Sequence, residues 1–308
     1  SGGSALLPAP VPEISLADKV AVTRFLSGAG ADIVALNTVR KALSRFKGGG
    51  LARACGAGRL VALVISDVMG DPLSAIASGP TVLENASAGE AIAVLERFGT
   101  ADVPAPVLDY LRSQGDASPP PARCVVENIV IGNNAVAVDA AGMEAERRGY
   151  SHAMRSNAHE GFAEDEGRKL AELALEMRDR PGPDCLITGG EPVVQLSPPE
   201  TRGKGGRNQQ LALAALVRLA AAGPREIALV AGGTDGEDGP TDAAGAAVDA
   251  RLIDRAARRG LKPAEFLARN DAYHFFAPVE GLIKTGPTHT NVCDLRVVTV
   301  ARVEHPRS

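Results

Sequence analysis

Aromatic side chains make up only 3% of the 308 residues, and basic residues, 33 of them, are outnumbered by 37 acidic ones. A chain with so few rings to stack on bases, and no surplus of positive charge to neutralise phosphates, is poorly suited to nucleic acid. Long apolar runs are also missing: no stretch of about 18 uncharged apolar residues occurs, and no basic segment followed by an apolar one opens the chain. Neither a membrane span nor a signal peptide is read, so a cytoplasmic enzyme without membrane or nucleic-acid partners is expected. Cysteine is scarce, and Cys55, Cys124, Cys185 and Cys293 form no CxxC pair, which excludes a disulfide framework, a redox dithiol and a zinc knuckle. The five histidines show no HExxH spacing, so zinc catalysis also drops out.

What is present is an ordinary globular composition, 45% hydrophobic and 23% charged, in a chain long enough for about two domains. Four short apolar runs, at residues 60–65, 123–131, 184–187 and 227–231, each end in a loop of Gly, Ser, Thr, Asn or acids. Helical patterns separate them. Ser15 and Asp18 have the spacing of a capping box, opening a helix to about residue 27. Leu36, Val39, Leu43 and Phe46 form an apolar stripe in a second helix that residues 48–50 (GGG) terminate. Further helices are expected at 89–98, 134–148, 160–178, 208–222 and 249–259, and a terminal strand at 295–300. Alternation of this kind predicts an α/β fold with a largely parallel sheet, whose ligands bind beyond the carboxyl ends of the strands. The tract at 114–122 (QGDASPPPA) cannot continue a helix or a central strand, and places a boundary near residue 120: domains 1–120 and 121–308.

Five segments could carry chemistry. Residues 201–208 (TRGKGGRN) precede an apolar helix. Gly205 and Gly206 would let backbone N–H groups approach an anion, with Arg202, Lys204 and Arg207 as cationic donors; a solvated surface turn fits the motif equally well. Asp235, Glu237, Asp238 and Asp242 gather at the end of an apolar strand, where a carboxylate could hold a magnesium ion bound to phosphate. The alternative is an acidic turn capping a helix that begins near Ala243. Asp67 and Asp71, followed by Ser78, Gly79 and Thr81, could orient a hydroxyl and donate to phosphate oxygens, or serve only as turn residues. Asn37, Arg40, Ser44 and Lys47 recur at helical spacing, so Arg40 and Lys47 could bind a carboxylate or phosphate from one face. The loop at 284–291 contains Thr288, His289 and Asn291; His289 is a weak candidate base.

Taken in order, SGGSALL (1–7), NTVRKALSRFKGG (37–49), SDVMGD (66–71), SGPT (78–81), TGGE (188–191), GKGGRNQQLAL (203–213), GTDGEDGPTDAAGA (233–246) and TGPTHTNVCDLRV (285–297) resemble the type II glycerate 2-kinases, the family with a C-terminal MOFRL domain. The resemblance implies two Rossmann-like α/β domains with the active site in the cleft between them. It implies transfer of the γ-phosphoryl group of ATP, with Mg²⁺, to the 2-hydroxyl of D-glycerate, giving 2-phosphoglycerate. Asp71, Arg207 and Asp235 would be catalytic; Ser1, Gly2, Gly3, Ser4, Arg40 and Lys47 would hold the substrate. Ser78, Gly79, Thr81, Gly189, Gly190, Glu191, Lys204, Gly205, Gly206, Asn208, Thr288 and Asn291 would line the nucleotide phosphates, and Asp235 with Asp238 the metal. A glycine-flanked lysine that the family uses lies upstream of the SGG turn, so the sequence is expected to be a fragment. The alternatives are a hydroxypyruvate reductase, disfavoured because no GxGxxG follows a strand, and a nucleotide or sugar-acid phosphate binding protein without turnover. A homodimer is among the options.

Overall fold

The computed structural model describes residues 3–84, 87–115, 120–155, 161–223 and 226–301. The chain divides into two compact units, unit 1 comprising Ser1–Val64 and Asp71–Ile131, and unit 2 comprising Ile65–Gly70 and Gly132–Ser308. The division falls after residue 131 and not at 120, because the strand that follows the proline tract pairs back into unit 1. Residues 116–119 of that tract lie outside the described residues.

Unit 1 holds α1 (Gly3–Leu6), α2 (Leu16–Gly28), α3 (Ile33–Ala42), α4 (Gly50–Ala54), β1 (Arg59–Ile65), α5 (Ala88–Phe98), α6 (Ala105–Gln114) and β2 (Val125–Gly132). The capping box at the start of α2 is present: Ser15 Oγ accepts from Asp18 N, and Asp18 accepts from Ser15 N. The core joins one face of each of four helices, through Val22 and Leu26 of α2, Leu36 and Val39 of α3, Ala91 and Leu95 of α5, and Val107 and Leu111 of α6. Val125 N–H donates to Gly58 O at one end of the ribbon and Ser66 N–H to Gly132 O at the other, so β1 and β2 run parallel.

The second helix is shorter than its apolar stripe suggested. α3 stops at Ala42 because the next residues bridge to the segment before α2: Val11 N–H donates to Leu43 O and Arg45 N–H to Ala9 O. Ser44 and Lys47 are therefore loop residues, not members of a continuous helical face with Arg40.

Unit 2 contains α7 (Asn134–Arg147), β3 (His152–Arg155), α8 (Ala163–Asp179), β4 (Cys185–Gly190), α9 (Arg207–Ala222), β5 (Ile227–Gly233), β6 (Gly245–Asp249), α10 (Ala250–Arg258), α11 (Pro263–Ala268), α12 (Ala272–Phe276), β7 (Leu282–Ile283) and β8 (Asp294–Val300). The strand order is β3-β4-β8-β5-β6-β7. Only β3 and β4 pair in parallel, while β4–β8, β8–β5, β5–β6 and β6–β7 are antiparallel. The α/β class stands, but this sheet is mixed and not largely parallel. No helix separates β5 from β6, so the connection cannot cross over and the strands must run opposite ways.

Alternating residues of the central strands serve two cores. Leu186, Val298 and Val300 pack with α8, α9 and the pair Phe275 and Phe276, whereas Cys185, Ile187, Leu295 and Val297 pack on Val138 and Ala145 of α7. Helices thus cover both faces. The pairing of α8 with α9 depends on one glycine: a Cβ at Gly167 would lie 2.2 Å from Leu211 O, so the two backbones meet there.

Candidate active site

Each unit presents a cavity lined by residues that the sequence singled out. In unit 1 a 460 Å³ pocket is lined by Ser4 and Pro8, by Lys19, Thr23 and Arg24 of α2, by Arg40 of α3, and by Lys47. Lys47 is only 4% exposed; its Nζ donates to Ser4 O at 2.5 Å and to Ser4 Oγ at 3.0 Å. Ser4 Oγ lies 2.7 Å from Ser78 Oγ, which in turn donates to Asn37 Oδ1 at 3.2 Å. Burial and the nearby Arg40 pull the Lys47 ammonium down to a pKa of about 8. A cationic, hydroxyl-bearing pocket of this size suits a small carboxylic acid.

The structure thus brings Ser4, Arg40 and Lys47 of the expected substrate set to one pocket; Gly3, at the start of α1, faces Ala77 and does not line it, and Ser1 and Gly2 lie outside the described residues. It adds Ser78, which was expected on the nucleotide side. Gly79 forms the left-handed turn after Ser78, at φ 62°. Thr81 is buried and hydrogen-bonded to Asn128, a role internal to unit 1. Asp71 lies on the loop after β1 with φ 53°, a backbone conformation that costs a non-glycine residue energy and is enriched at functional sites.

In unit 2 a cavity of 700 Å³ is walled by Val193, Val194, Leu196 and Pro240 and carries Arg207, Arg202, Glu191, Gly205, Gly206 and Asn270. Its centre of charge is Arg207, the first residue of α9. Arg207 Nε and Nη2 donate to the two oxygens of Asp294 at 2.7 and 2.9 Å, and Nη1 lies 2.9 Å from Glu191 Oε1. Burial disfavours this charge, but the hydrogen bonds and charge of Asp294, helped by Glu191, more than offset it and hold Arg207 firmly cationic. Arg296, two residues on from Asp294 along β8, is 2% exposed and packs beneath Gly190, where a Cβ would meet its guanidinium at 3.0 Å. Gly189 is close-packed as well: a Cβ there would overlap the amide of Asn134.

The anion cradle expected at the start of α9 is already filled from within the chain. Asn208 N and Gln209 N donate to the two oxygens of Asp238 at 3.0 and 2.8 Å. Asp238 is 3% exposed, and burial raises its pKa to about 6 despite those two N–H donors. It therefore caps the helix from a neighbouring loop and is not placed to ligate a metal. Asn208, fully buried, cannot reach a nucleotide either. Gly206 is required because a Cβ would fall 2.3 Å from the Asp238 backbone. The acidic loop does not cap a helix at Ala243: β6 follows it, and Asp249 caps α10.

The remaining acids of that loop have separate partners. Asp242 binds Lys284 and the Tyr273 hydroxyl, both at 2.8 Å. Asp235 accepts Glu237 N at 3.1 Å through one oxygen, and its backbone carbonyl accepts from Thr288 N. Thr288 Oγ1 donates to Thr234 O at 2.6 Å, and Thr234 Oγ1 donates to Cys293 O at 2.7 Å. Gly236, at φ 83°, lies against Gly286 O, where a Cβ would come within 2.1 Å. The expected phosphate and metal loops, 234–238 and 285–293, are therefore stitched into one ledge. Asn291 is used inside it, accepting Cys293 N at 3.0 Å. Lys204 stacks over Tyr273 at 4.4 Å, and His289 is an exposed loop residue at φ 62°.

Among the described residues, no three His, Cys, Asp or Glu side chains converge on one point. Of the two carboxylates expected to hold magnesium, Asp238 is spent on the start of α9, whereas Asp235, half-buried on the ledge, offers the hard oxygen ligand that such an ion takes. The cavity's apolar wall beside Arg207 and Arg202 fits a base joined to a phosphate chain.

Residues 1–112 match DUF4147, a domain of unknown function, and residues 184–294 match the MOFRL family. The glycerate kinase of Macaca fascicularis is 41% identical over 96% of this chain and 86% of its own, and that of Homo sapiens 40% identical over 96% and 65%. The crystal structure of a glycerate kinase from Thermotoga maritima superposes with a TM-score of 0.88 at 37% identity, covering 98% of this chain and 71% of that one. With both parts matched in order along nearly its whole length, the chain belongs to the glycerate kinase family that carries a MOFRL domain.

Proposed function

We infer that the chain is an ATP-dependent glycerate kinase that transfers the γ-phosphoryl group to the 2-hydroxyl of D-glycerate and acts in the cytoplasm. The observation that carries this reading is the pairing of chemistries: a small cation-lined pocket in unit 1, and in unit 2 a larger cavity where Arg207 is fixed by Asp294 and Glu191. Phosphoryl transfer asks little covalent chemistry of the protein, so positioning and charge stabilisation should dominate.

In unit 1, Lys47 and Arg40 would clamp the glycerate carboxylate, and Ser4 would hydrogen-bond the acid. Asp71 would orient the hydroxyl and take its proton. In unit 2, Arg207 would donate to the transferring group with N–H groups that its two carboxylates leave over, three of the five being engaged. Asp235 is the residue that would hold Mg²⁺, which when bound neutralises phosphate charge. Val193, Val194, Leu196 and Pro240 would cover the base. Gly190, Gly205 and Thr288 would flank the phosphates.

The reductase alternative lacks a dinucleotide fingerprint, whereas a kinase needs the cationic and acidic groups that are present. The test is ADP release by the full gene product supplied with Mg·ATP and D-glycerate. Acid-dependent ADP formation is expected. ATP binding without acid-dependent turnover would favour the binding-protein alternative.

A further inference from the structure

Lys19 was not among the residues that sequence reasoning selected, yet it is almost as deeply buried as Lys47, at 6% exposure. It lies on the first turn of α2, and its neighbours on that face, Leu16, Val20, Thr23 and Arg24, line the same pocket. The Lys19 ammonium donates to Pro8 O at 2.5 Å, a contact that satisfies one hydrogen but leaves the charge unneutralised. Among the described residues, neither Lys19 nor Lys47 has a carboxylate partner, and none of the described pocket-lining residues is acidic. Burial, Lys47 and Arg40 together depress the Lys19 pKa to about 8. Burying cations without counter-charge is costly. Lys19 and Lys47 are buried in this way and, with the half-buried Arg40 and the exposed Arg24, make four cations around a 460 Å³ pocket, whereas a free hydroxy acid supplies a single negative charge to balance them.

We propose that Lys19 is a further ligand-binding residue of this pocket, and that its four cations are matched to a phosphorylated hydroxy acid, carrying a carboxylate and a phosphate, more closely than to the free acid. The proposal rests on the kinase reading for the identity of that acid. It makes the unit 1 pocket a site where product is retained and competes with substrate. Lys19 and Lys47 would divide the phosphate and carboxylate between them, with Arg40 and Arg24 adding charge at the rim.

The experiment is titration calorimetry on the full gene product without nucleotide or metal, using D-glycerate, 2-phosphoglycerate and inorganic phosphate. The phosphorylated acid should bind at least about tenfold more tightly than D-glycerate, the ratio expected from one additional charge-assisted contact. Lys19→Met should reduce affinity for 2-phosphoglycerate by about tenfold or more while changing D-glycerate binding far less, and Lys19→Arg should restore most of it. The melting temperature of Lys19→Met should not fall, because an unneutralised buried charge has been removed, and ATP affinity should be unchanged. Equal affinity for the two acids, or equal losses for both in Lys19→Met, would overturn the proposal. Binding of phosphoglycerate with no kinase turnover would sustain the pocket's assignment while removing the kinase reading, so the two fail separately.

Discussion

Asp294, the first residue of β8, is completely buried and receives Arg207 in a two-pronged hydrogen bond, Nε to Oδ2 at 2.7 Å and Nη2 to Oδ1 at 2.9 Å. The first residue of a helix is thereby fixed in orientation by a strand 87 positions further along the chain. Glu191 holds the guanidinium from a second direction, so it is rigid before any ligand arrives, which is what preorganised charge stabilisation requires.

Asp294→Asn keeps the shape of the side chain but removes its charge and turns an amide toward the guanidinium. Turnover should fall by about 10²-fold or more, and folding stability by about 3 kcal/mol, since a buried charge loses its partner. Steady-state kinetics and thermal denaturation check both; an unchanged kcat would dismiss the positioning role.

Asp238 should be a structural residue and not a metal ligand. Asp238→Ala should cost about 1–2 kcal/mol through loss of the α9 cap, with no shift in the magnesium dependence of turnover. Its pH signature is distinctive. A carboxyl whose pKa rises from about 4 unfolded to about 6 folded keeps its proton longer in the folded state, so its contribution to stability declines as pH rises across that window. Denaturation at several pH values should show that decline in the parent protein and not in Asp238→Asn.

Helices α8 and α9 supply a stability test free of catalysis. Gly167→Ala would drive a methyl group into the Leu211 carbonyl, at 2.2 Å, and should cost about 1–3 kcal/mol. Gly28→Ala, at the end of α2 with nothing within 4 Å of its Cβ, should be neutral or stabilising by about 0.5 kcal/mol.

Much of the fold was legible because its signals are local. The capping box at Ser15, helices α5, α7 and α9, and strands β1, β4, β5 and β8 fall within a few residues of where periodicity placed them. The order of strands was not legible, since insertion of β8 between β4 and β5 is decided by long-range packing. The 203–208 loop reads as an anion cradle from its glycines, but the carboxylate that fills it comes from 30 residues away. Lys19 and Asp294 were missed for the same reason. A lysine on an amphipathic helix and an aspartate opening a strand carry no mark of burial, and only the fold puts Lys19 beside Lys47 and Asp294 under Arg207.

The two depressed lysines give the substrate side a pH dependence of definite sign. With pKa values near 8, Lys19 and Lys47 are charged below that pH and neutral above it, so acid binding should weaken as pH rises through 8. Their effect on folding runs the other way. The unfolded chain, titrating near 10.4, binds more protons between 8 and about 10, so these two groups add stability as pH rises there. A KM for D-glycerate that climbs above pH 8 as Lys47 loses its charge, with no matching loss of folded protein, is the expected pattern; a flat KM from pH 6 to 10 would show that the Lys47 ammonium does not bind the acid.

The most direct test of the central claim is phosphorus NMR of the full gene product turning over Mg·ATP and D-glycerate. The account requires the γ-phosphate signal of ATP to be replaced by a phosphate ester split into a doublet by the single proton on carbon 2. A triplet, from the two protons on carbon 3, or loss of ATP without any phosphoglycerate signal, would contradict it.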